Sequence, residues 1–412
     1  MKLLIITQYF PPEVGAPQNR LYELAVRLQK EGIEVEVLTA MPNYPAMEIH
    51  PGYRKKWYVN EKQGEIATHR SWIFVPKSKK VPARLLNYFS FVFSSFFIGW
   101  FKTNKPDLIL CESPPLFLGI SAWALAKIKG AKFIFNVSDL WPESAEKLGL
   151  VRNRFFLSIS TRLEEFLYRN AVLITGQTQG IVQNIKSRFP QQQVHWLPNG
   201  VDLQFYNPAQ YNQKWKHENG FSSEDFVLLY AGIIGHAQGL EVIIHAAAAL
   251  RETPAIKFVL MGAGPEKAHL QALCTQLHLT SVQFFPPVTK EQMPAIIAAS
   301  DAAIIPLKRL ELFKGAIPSK IFEALAMEKP ILLGVEGEAK SLFIESGDCG
   351  LAFVPEDVAE LSQCILKLQS SPSLCKQLGT NGRKFVAAHF NRNQIASDFH
   401  KKLHEVFQHS IR

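Results

Sequence analysis

Apolar residues along the first half of the chain fall into short runs separated by segments of helical period. "KLLIIT" (2–7), "IEVEVLT" (33–39), "PDLILCE" (106–112), "KFIFNVS" (132–138), "VLITG" (172–176) and "QVHWLP" (193–198) read as strands. Between them lie helices such as Gln18 to Lys30, ended by Gly32, and Phe155 to Asn170. Strands that are apolar on both faces and alternate with helices predict a parallel sheet covered on both sides.

The pattern restarts after about residue 225, with "FVLLYAG" (226–232), "IKFVLMGAG" (256–264), "VQFFPPV" (282–288), "DAAIIPL" (301–307), "PILLGVE" (330–336) and "CGLAFVP" (349–355). This predicts a second sheet of the same kind. The join falls in the turn chemistry of "LPNGVDLQFYNPAQYN", which gives an α/β chain of two doubly wound domains, 1–200 and 201–390. A terminal helical segment, 391–412, is expected to pack back on the first domain. Such sheets bind ligands beyond the carboxyl ends of their strands, so a cleft between the two sets of strand ends is the expected site.

The size suits this reading: 412 residues, 47% of them hydrophobic and 20% charged, fill two ordinary cores. Five scattered cysteines with no C-x-x-C pair suggest neither a disulfide framework nor a zinc site, and fit a reducing cytoplasm. The opening "MKLLIITQYFPPEVG" has too brief an apolar run for a signal peptide and reads as a first buried strand.

Charge is uneven. Residues 1–199 hold 25 Lys and Arg against 15 Asp and Glu, whereas residues 200–412 hold 20 against 21. The basic excess surrounds one stretch, "KSKKVPARLLNYFSFVFSSFFIGWFKTNK" (77–105), where seventeen uncharged residues contain eight aromatics. Lys79, Lys80 and Arg84 precede them, and Phe89, Phe93, Phe97 and Trp100 recur at helical spacing. A helix lying in the interface of an anionic membrane accounts for both features; a core helix packed on a sheet and a short spanning helix are the alternatives. Nucleic acid is not favoured by this neighbourhood.

The loops after the strands carry the candidate chemistry. Gly15 stands near a helix start in "QYFPPEVGAPQNR", Gly232, Gly235 and Gly239 punctuate "AGIIGHAQGLE", and Gly262 and Gly264 form "MGAGPE". None is a G-x-G-x-x-G dinucleotide fingerprint. Backbone N–H groups in such turns suit a diphosphate, with His236 or Gln238 as further donors. In "IPSKIFEALAMEKP" (317–330) Lys320 and Glu323 interrupt an otherwise apolar helix, with two readings: Ser319 as its cap and both charges solvated, or a cation on a phosphate and a carboxylate on a ribose. The chain has neither a P-loop nor a D-x-D pair, so phosphate charge would fall to protein groups without a metal. On the first-domain side, Asp139 and Glu143 flank Trp141 in "NVSDLWPESAEKLGL", either as a helix start or as acceptor-side acid–base groups, and Glu112 in "CESPP" holds a similar place.

"LPNGVD" (197–202), "YAGIIGHAQGLE" (230–241), "MGAGPE" (261–266) and "PSKIFEALAMEKPIL" (318–332), in this order, resemble the family 4 glycosyltransferases of GT-B fold. "QYFPPEVGAPQNRLYELA" and "VSDLWPES" resemble the bacterial surface-polysaccharide branch that includes L-fucosamine transferases of O-antigen and capsule assembly. The resemblance implies a retaining, metal-independent enzyme without a cofactor, whose nucleoside diphosphate sugar, commonly of UDP, binds the second domain. It implies an acceptor on the first domain, here a polyprenyl-diphosphate-linked sugar at the inner face of the cytoplasmic membrane.

By resemblance Glu323 contacts the ribose, Lys320 and the turn at Gly235 the diphosphate, and Gly15 the same phosphates; Gly262, Gly264, Val288 and Ser319 complete the donor set. Asp139 is the acceptor-side catalytic candidate beside Lys320 and Glu323. Two departures stand out. The Glu that often lies eight residues before the second one is Gly315 here, with Glu311 as the substitute, and His236 and Gln238 replace an Arg and a Lys usual in the glycine loop. A sugar-nucleotide epimerase of the same fold and a non-catalytic subunit docked on lipid carriers are the rival readings.

Overall fold

The computed structural model describes all residues except 14, 45–46, 77–80, 148, 150, 152 and 409–412, and describes residues 16, 81, 82 and 84 by backbone alone. Lys79, Lys80 and the Arg84 side chain therefore lie outside the described residues. The chain divides into two compact units. One joins Met1–Asn199 to the C-terminal helix Arg392–Gln408, and the other spans Gly200–Asn391.

Among the described residues the first unit has eight strands: β1 (Lys2–Ile6), β2 (Glu34–Ala40), β3 (Tyr58–Gln63), β4 (Ile66–Ser71), β5 (Leu108–Ser113), β6 (Lys132–Val137), β7 (Leu173–Gly176) and β8 (Val194–Trp196). Their order is β3-β4-β2-β1-β5-β6-β7-β8, parallel throughout except for β3. Its helices are α1 (Ala16–Lys30), α2 (Val81–Lys102), α3 (Leu118–Lys129), α4 (Glu143–Lys147), α5 (Arg154–Asn170) and α6 (Gln179–Arg188). The alternation along β1 feeds two cores: Leu3 and Ile5 pack under α1 and the C-terminal helix, while Leu4 and Ile6 share a cluster with residues of α2, α3, α5 and α6. That is why this strand is apolar on both faces.

The β3–β4 hairpin is absent from the sequence reading, for a physical reason. Thr68, His69, Arg70 and Ser71 of β4 are buried, and four consecutive polar residues do not read as a core strand. The two largest are accommodated by partners: Arg70 donates to Glu61 Oε1 at 2.5 Å, and His69 Nδ1 lies 2.8 Å from the Tyr58 hydroxyl.

The aromatic stretch forms α2, which packs against β2, β4 and α3. Asn87, Ser94 and Ser95 are buried on its inner side. Asn87 donates to the Phe74 carbonyl at 2.7 Å and accepts from Gln8 at 3.0 Å, and the Ser95 and Ser121 hydroxyls lie 2.9 Å apart. Among the described residues no helix is long and apolar enough to cross a membrane.

The second unit has six parallel strands: β9 (Phe226–Ala231), β10 (Ile256–Met261), β11 (Val282–Phe285), β12 (Ala302–Pro306), β13 (Ile331–Gly334) and β14 (Gly350–Ala352), ordered β11-β10-β9-β12-β13-β14. The chain winds outward from β9 through β10 to β11, then returns to β12 and winds the other way. The reversal between β9 and β12 is the topological switch point, where doubly wound sheets open a crevice at their carboxyl ends. The loops after these two strands are residues 232–239 and 307–319.

Candidate functional site

The helix Lys320–Ala326 leads from the loop after β12. Ile321, Phe322, Ala324, Leu325, Ala326 and Met327 are all at most 2% exposed, and Phe322 packs on Phe343 and Phe390. Only Lys320 and Glu323 escape full burial, three residues apart and hence on one side of the helix. Ser319, expected as the cap, has a helical backbone and makes no side-chain capping bond. Seven residues make a weak dipole, so cationic character at this helix start rests on Lys320 itself.

Lys320 reaches back to the loop after β9. Its ammonium nitrogen sits 3.9 Å from the centroid of the Tyr230 ring and 3.5 Å from Gln238 Oε1. The Tyr230 hydroxyl donates to the Ile233 carbonyl at 2.6 Å and lies 3.4 Å from the same Gln238 oxygen. Gly232 makes room for the lysine, since a Cβ there would approach Nζ to 3.1 Å. Desolvation pushes the Lys320 pKa down to about 7, against the pull of Glu323, and burial raises that of Tyr230.

A second lysine, missed by the sequence reading, stands beside His236. Lys308 follows β12; its amide donates to the Ala237 carbonyl at 3.0 Å and its ammonium lies 2.9 Å from His236 Nε2. Thus each of the two loop positions that lack a cation has a lysine ammonium brought beside it from another part of the chain. The available signal was that Lys308 lies just past the end of a strand at the switch point. A pocket of about 150 Å³ opens on this side, lined in part by Gly235, His236, His245, Glu266, Lys308 and Glu356 but not by Lys320 or Glu323.

The glycine turns divide into two kinds. A Cβ on Gly262 would come within 1.9 Å of the Gly232 carbonyl oxygen, and one on Gly264 within 2.1 Å of that of Ile234. The loops after β9 and β10 are joined backbone to backbone: Gly232 N–H donates to Met261 O and Ile234 N–H to Ala263 O, both at 2.9 Å. The Gly262 N–H is itself donated to Phe285 O at 3.1 Å. Close packing therefore accounts for Gly262 and Gly264. Gly235 differs: its nearest neighbour would be Ile233 Cγ2 at 3.3 Å, which leaves its backbone approachable. Val288 lies half-exposed in the loop after β11. Glu311 is ion-paired with Lys314 at 2.8 Å, and nothing lies within 4 Å of a Cβ built on Gly315.

In the first unit, Asp139 follows β6 and accepts from the Ser144 hydroxyl at 2.7 Å; burial raises its pKa, with Ser144 and the Leu140 amide lowering it. Glu143 forms a surface pair with Lys147 at 2.7 Å. Glu112 is buried and bound by Arg20 at 2.7 Å, by Ser138 at 2.5 Å and by Asn136, a saturated carboxylate at the ends of β5 and β6. Gly15 opens α1. The loop before it is held by Glu13, which sequence reasoning overlooked: its carboxylate accepts the amides of Phe10, Asn43 and Tyr44 at 3.2, 2.7 and 2.8 Å.

Comparisons with known proteins match these units. Residues 18–205 match the model described as Glycosyltransferase Family 4, and residues 212–385 the model described as Glycosyl transferases group 1. The putative colanic acid biosynthesis glycosyl transferase WcaI of Escherichia coli (strain K12) is 28% identical over 334 residues, 79% of this chain and 81% of that protein. Among solved structures, the sucrose-phosphate synthase of Thermosynechococcus elongatus superposes with a TM-score of 0.77 at 17% identity, covering 98% of this chain and 99% of that one. Anabaena Alr3699/HepE in complex with UDP and glucose gives 0.73 at 17% identity, over 98% of this chain and all of that one. The two models in sequence, on two doubly wound units, identify a chain that belongs to the family 4 glycosyltransferases and has the GT-B fold.

Proposed function

We propose that this glycosyltransferase moves a sugar, of the N-acetylated amino type such as L-fucosamine, from a UDP-linked donor to a lipid-linked acceptor in bacterial surface-polysaccharide synthesis, working at the inner face of the cytoplasmic membrane. The donor lies at the β9/β12 switch point. The observation that carries this reading is the return of two lysine ammonium groups to a glycine loop that lacks its own cations, Lys320 beside Gln238 and Lys308 beside His236. The name of the Escherichia coli relative and the UDP in the Anabaena structure are consistent with the pathway and the nucleotide.

Chemically, the bond between the anomeric carbon and the diphosphate breaks with its electron pair leaving on the β-phosphate oxygen. Lys320 and Lys308 stabilise that developing charge, and Glu323 accepts from the ribose hydroxyls. The acceptor hydroxyl attacks from the same face, and its proton passes to the departing phosphate, so that configuration is retained. Asp139 orients the acceptor. These roles need no metal.

The test is UDP release with lipid-linked acceptor for the wild type, Lys320→Ala and Lys308→Ala. Loss of one preorganised donor should lower kcat by about 10²–10³. Unchanged turnover and UDP affinity in both variants would exclude the switch-point site.

A further inference from the structure

From Leu86 to Phe101 the exposed residues of α2 are all apolar. Leu86, Phe89, Phe93, Phe97, Trp100 and Phe101 are all exposed, Phe93 by 64% and Phe101 by 68%. A surface helix ordinarily shows polar residues outward and apolar ones inward; here the exposed side is apolar, and Asn87, Ser94 and Ser95 are buried together with Phe91. α3 lies beside α2 and α5 beside α3, so the three form one outer layer. α3 adds exposed Ile120 and Ile128. α5 adds Phe155, 76% exposed, with Ile159 and Phe166. Ring contacts join the layer across its seams: Phe89 to Phe117 at 4.7 Å, and Trp123 to Phe166 at 4.9 Å.

The exposed charges described on these three helices are basic, while Glu165 is half-buried. Arg154, Arg162 and Arg169 share the exposed side of α5 with its apolar residues, and Lys102 and Lys127 end the outer lines of α2 and α3. α2 and α3 contain no acidic residue. The two on α5 are engaged, Glu164 buried against Arg188 at 2.5 Å and Glu165 paired with Arg169 at 3.0 Å. A second copy of this face would bring cation against cation. Large aromatics interleaved with arginine and lysine match a surface that offers anionic head groups above an apolar layer.

We propose that α2, α3 and α5 together form one membrane-docking face, with α5 as a second anchoring helix, and that its partner is an anionic lipid surface. The proposal rests on the reading of a lipid-linked acceptor and deepens it by naming the surface. The layer also reaches the acceptor-side loop: Phe117 packs on Trp141 at 5.3 Å, two residues from Asp139, and Trp141 on Phe156 of α5 at 6.1 Å. A lipid-linked sugar would thus meet Asp139 at the rim of the face that holds the protein to its membrane.

The experiment is flotation of the full chain with phosphatidylcholine vesicles, with and without phosphatidylglycerol, alongside UDP binding in solution. The wild type should float with the anionic vesicles only and be released by salt. Phe155→Ser with Ile159→Ser, and Arg154→Glu with Arg162→Glu, should each lower partition about tenfold or more, as should Phe93→Ser with Phe97→Ser. Since all six side chains are exposed, circular dichroism and UDP affinity should match the wild type in every variant. A wild type that stays unbound with anionic vesicles overturns the proposal, and so do α5 variants that float like the wild type. Vesicle binding without UDP binding would leave this face standing and remove the donor reading.

Discussion

The Lys320 ammonium lies 3.9 Å over the face of Tyr230, a ring that is 1% exposed and fixed by its hydroxyl bond to the Ile233 carbonyl. A cation over a desolvated aromatic face gains about 2 kcal/mol, which offsets part of the cost of keeping this lysine away from water. Tyr230→Phe should keep that attraction and lose one hydrogen bond, about 1 kcal/mol of stability, with UDP affinity within a fewfold of the wild type. Tyr230→Leu removes the face and should weaken UDP binding by about tenfold or more. Titration of both variants with UDP checks this, and equal losses would show that the ring does not hold the cation.

Stability and activity should move in opposite directions at Lys320. Its pKa of about 7 lies below the ordinary lysine value, so charging it disfavours the folded state. The sign follows: the cost is fully present below about pH 7, shrinks as pH rises and is gone above about pH 10.4, where lysine is neutral folded or unfolded. Lys320→Met should therefore raise the stability of the ligand-free protein at neutral pH by about 1–3 kcal/mol while lowering kcat/KM by about 10² or more. Thermal unfolding beside steady-state rates tests both halves, and a lowered melting temperature would show that the ammonium is well satisfied without donor.

The same depressed pKa makes donor binding proton-linked. At about pH 8 most Lys320 side chains are neutral, and a bound diphosphate favours the charged form, so binding should take up close to one proton. Near pH 6 the lysine is already charged and its contribution should vanish. Affinity for UDP should accordingly fall as pH rises above about 7. Calorimetry in two buffers of different ionisation enthalpy measures the uptake, and its absence at pH 8 would mean that the diphosphate does not reach this ammonium.

The strands that the sequence made legible are those apolar on both faces, β1 and β9 among them, because full burial leaves an unambiguous run of Leu, Ile and Val. β4 escaped because Arg70 and His69 are buried through partners on neighbouring strands, Glu61 of β3 and Glu36 of β2, and such pairing is visible only in three dimensions. The site shows the same division. Lys320 and Glu323 were conspicuous as two charges in an apolar helix, whereas Lys308 is one lysine in "PLKRL" until the fold sets it against His236. Gly262 and Gly264 were read as ligand turns because a glycine spared for a neighbouring backbone looks the same in sequence as one spared for a phosphate.

That last ambiguity can be resolved by substitution. Gly262 has φ +147 and faces the Gly232 carbonyl, so Gly262→Ala should cost about 1–3 kcal/mol from backbone conformation alone and more from the clash, whether or not donor is present. Gly315 has open space around it and no positive φ, so Gly315→Ala should leave the melting temperature unchanged. It follows that Gly315→Glu, which restores the carboxylate often found at this place in the family, should fold normally and report on chemistry alone. If this position faces the donor sugar, Gly315→Glu should change the ranking of UDP-sugars in a thermal-shift and turnover panel by about tenfold between donors, with the affinity for UDP itself preserved. A parallel loss for every donor and for UDP would place the new carboxylate against the diphosphate instead, where it would oppose the charge that Lys320 and Lys308 are positioned to receive.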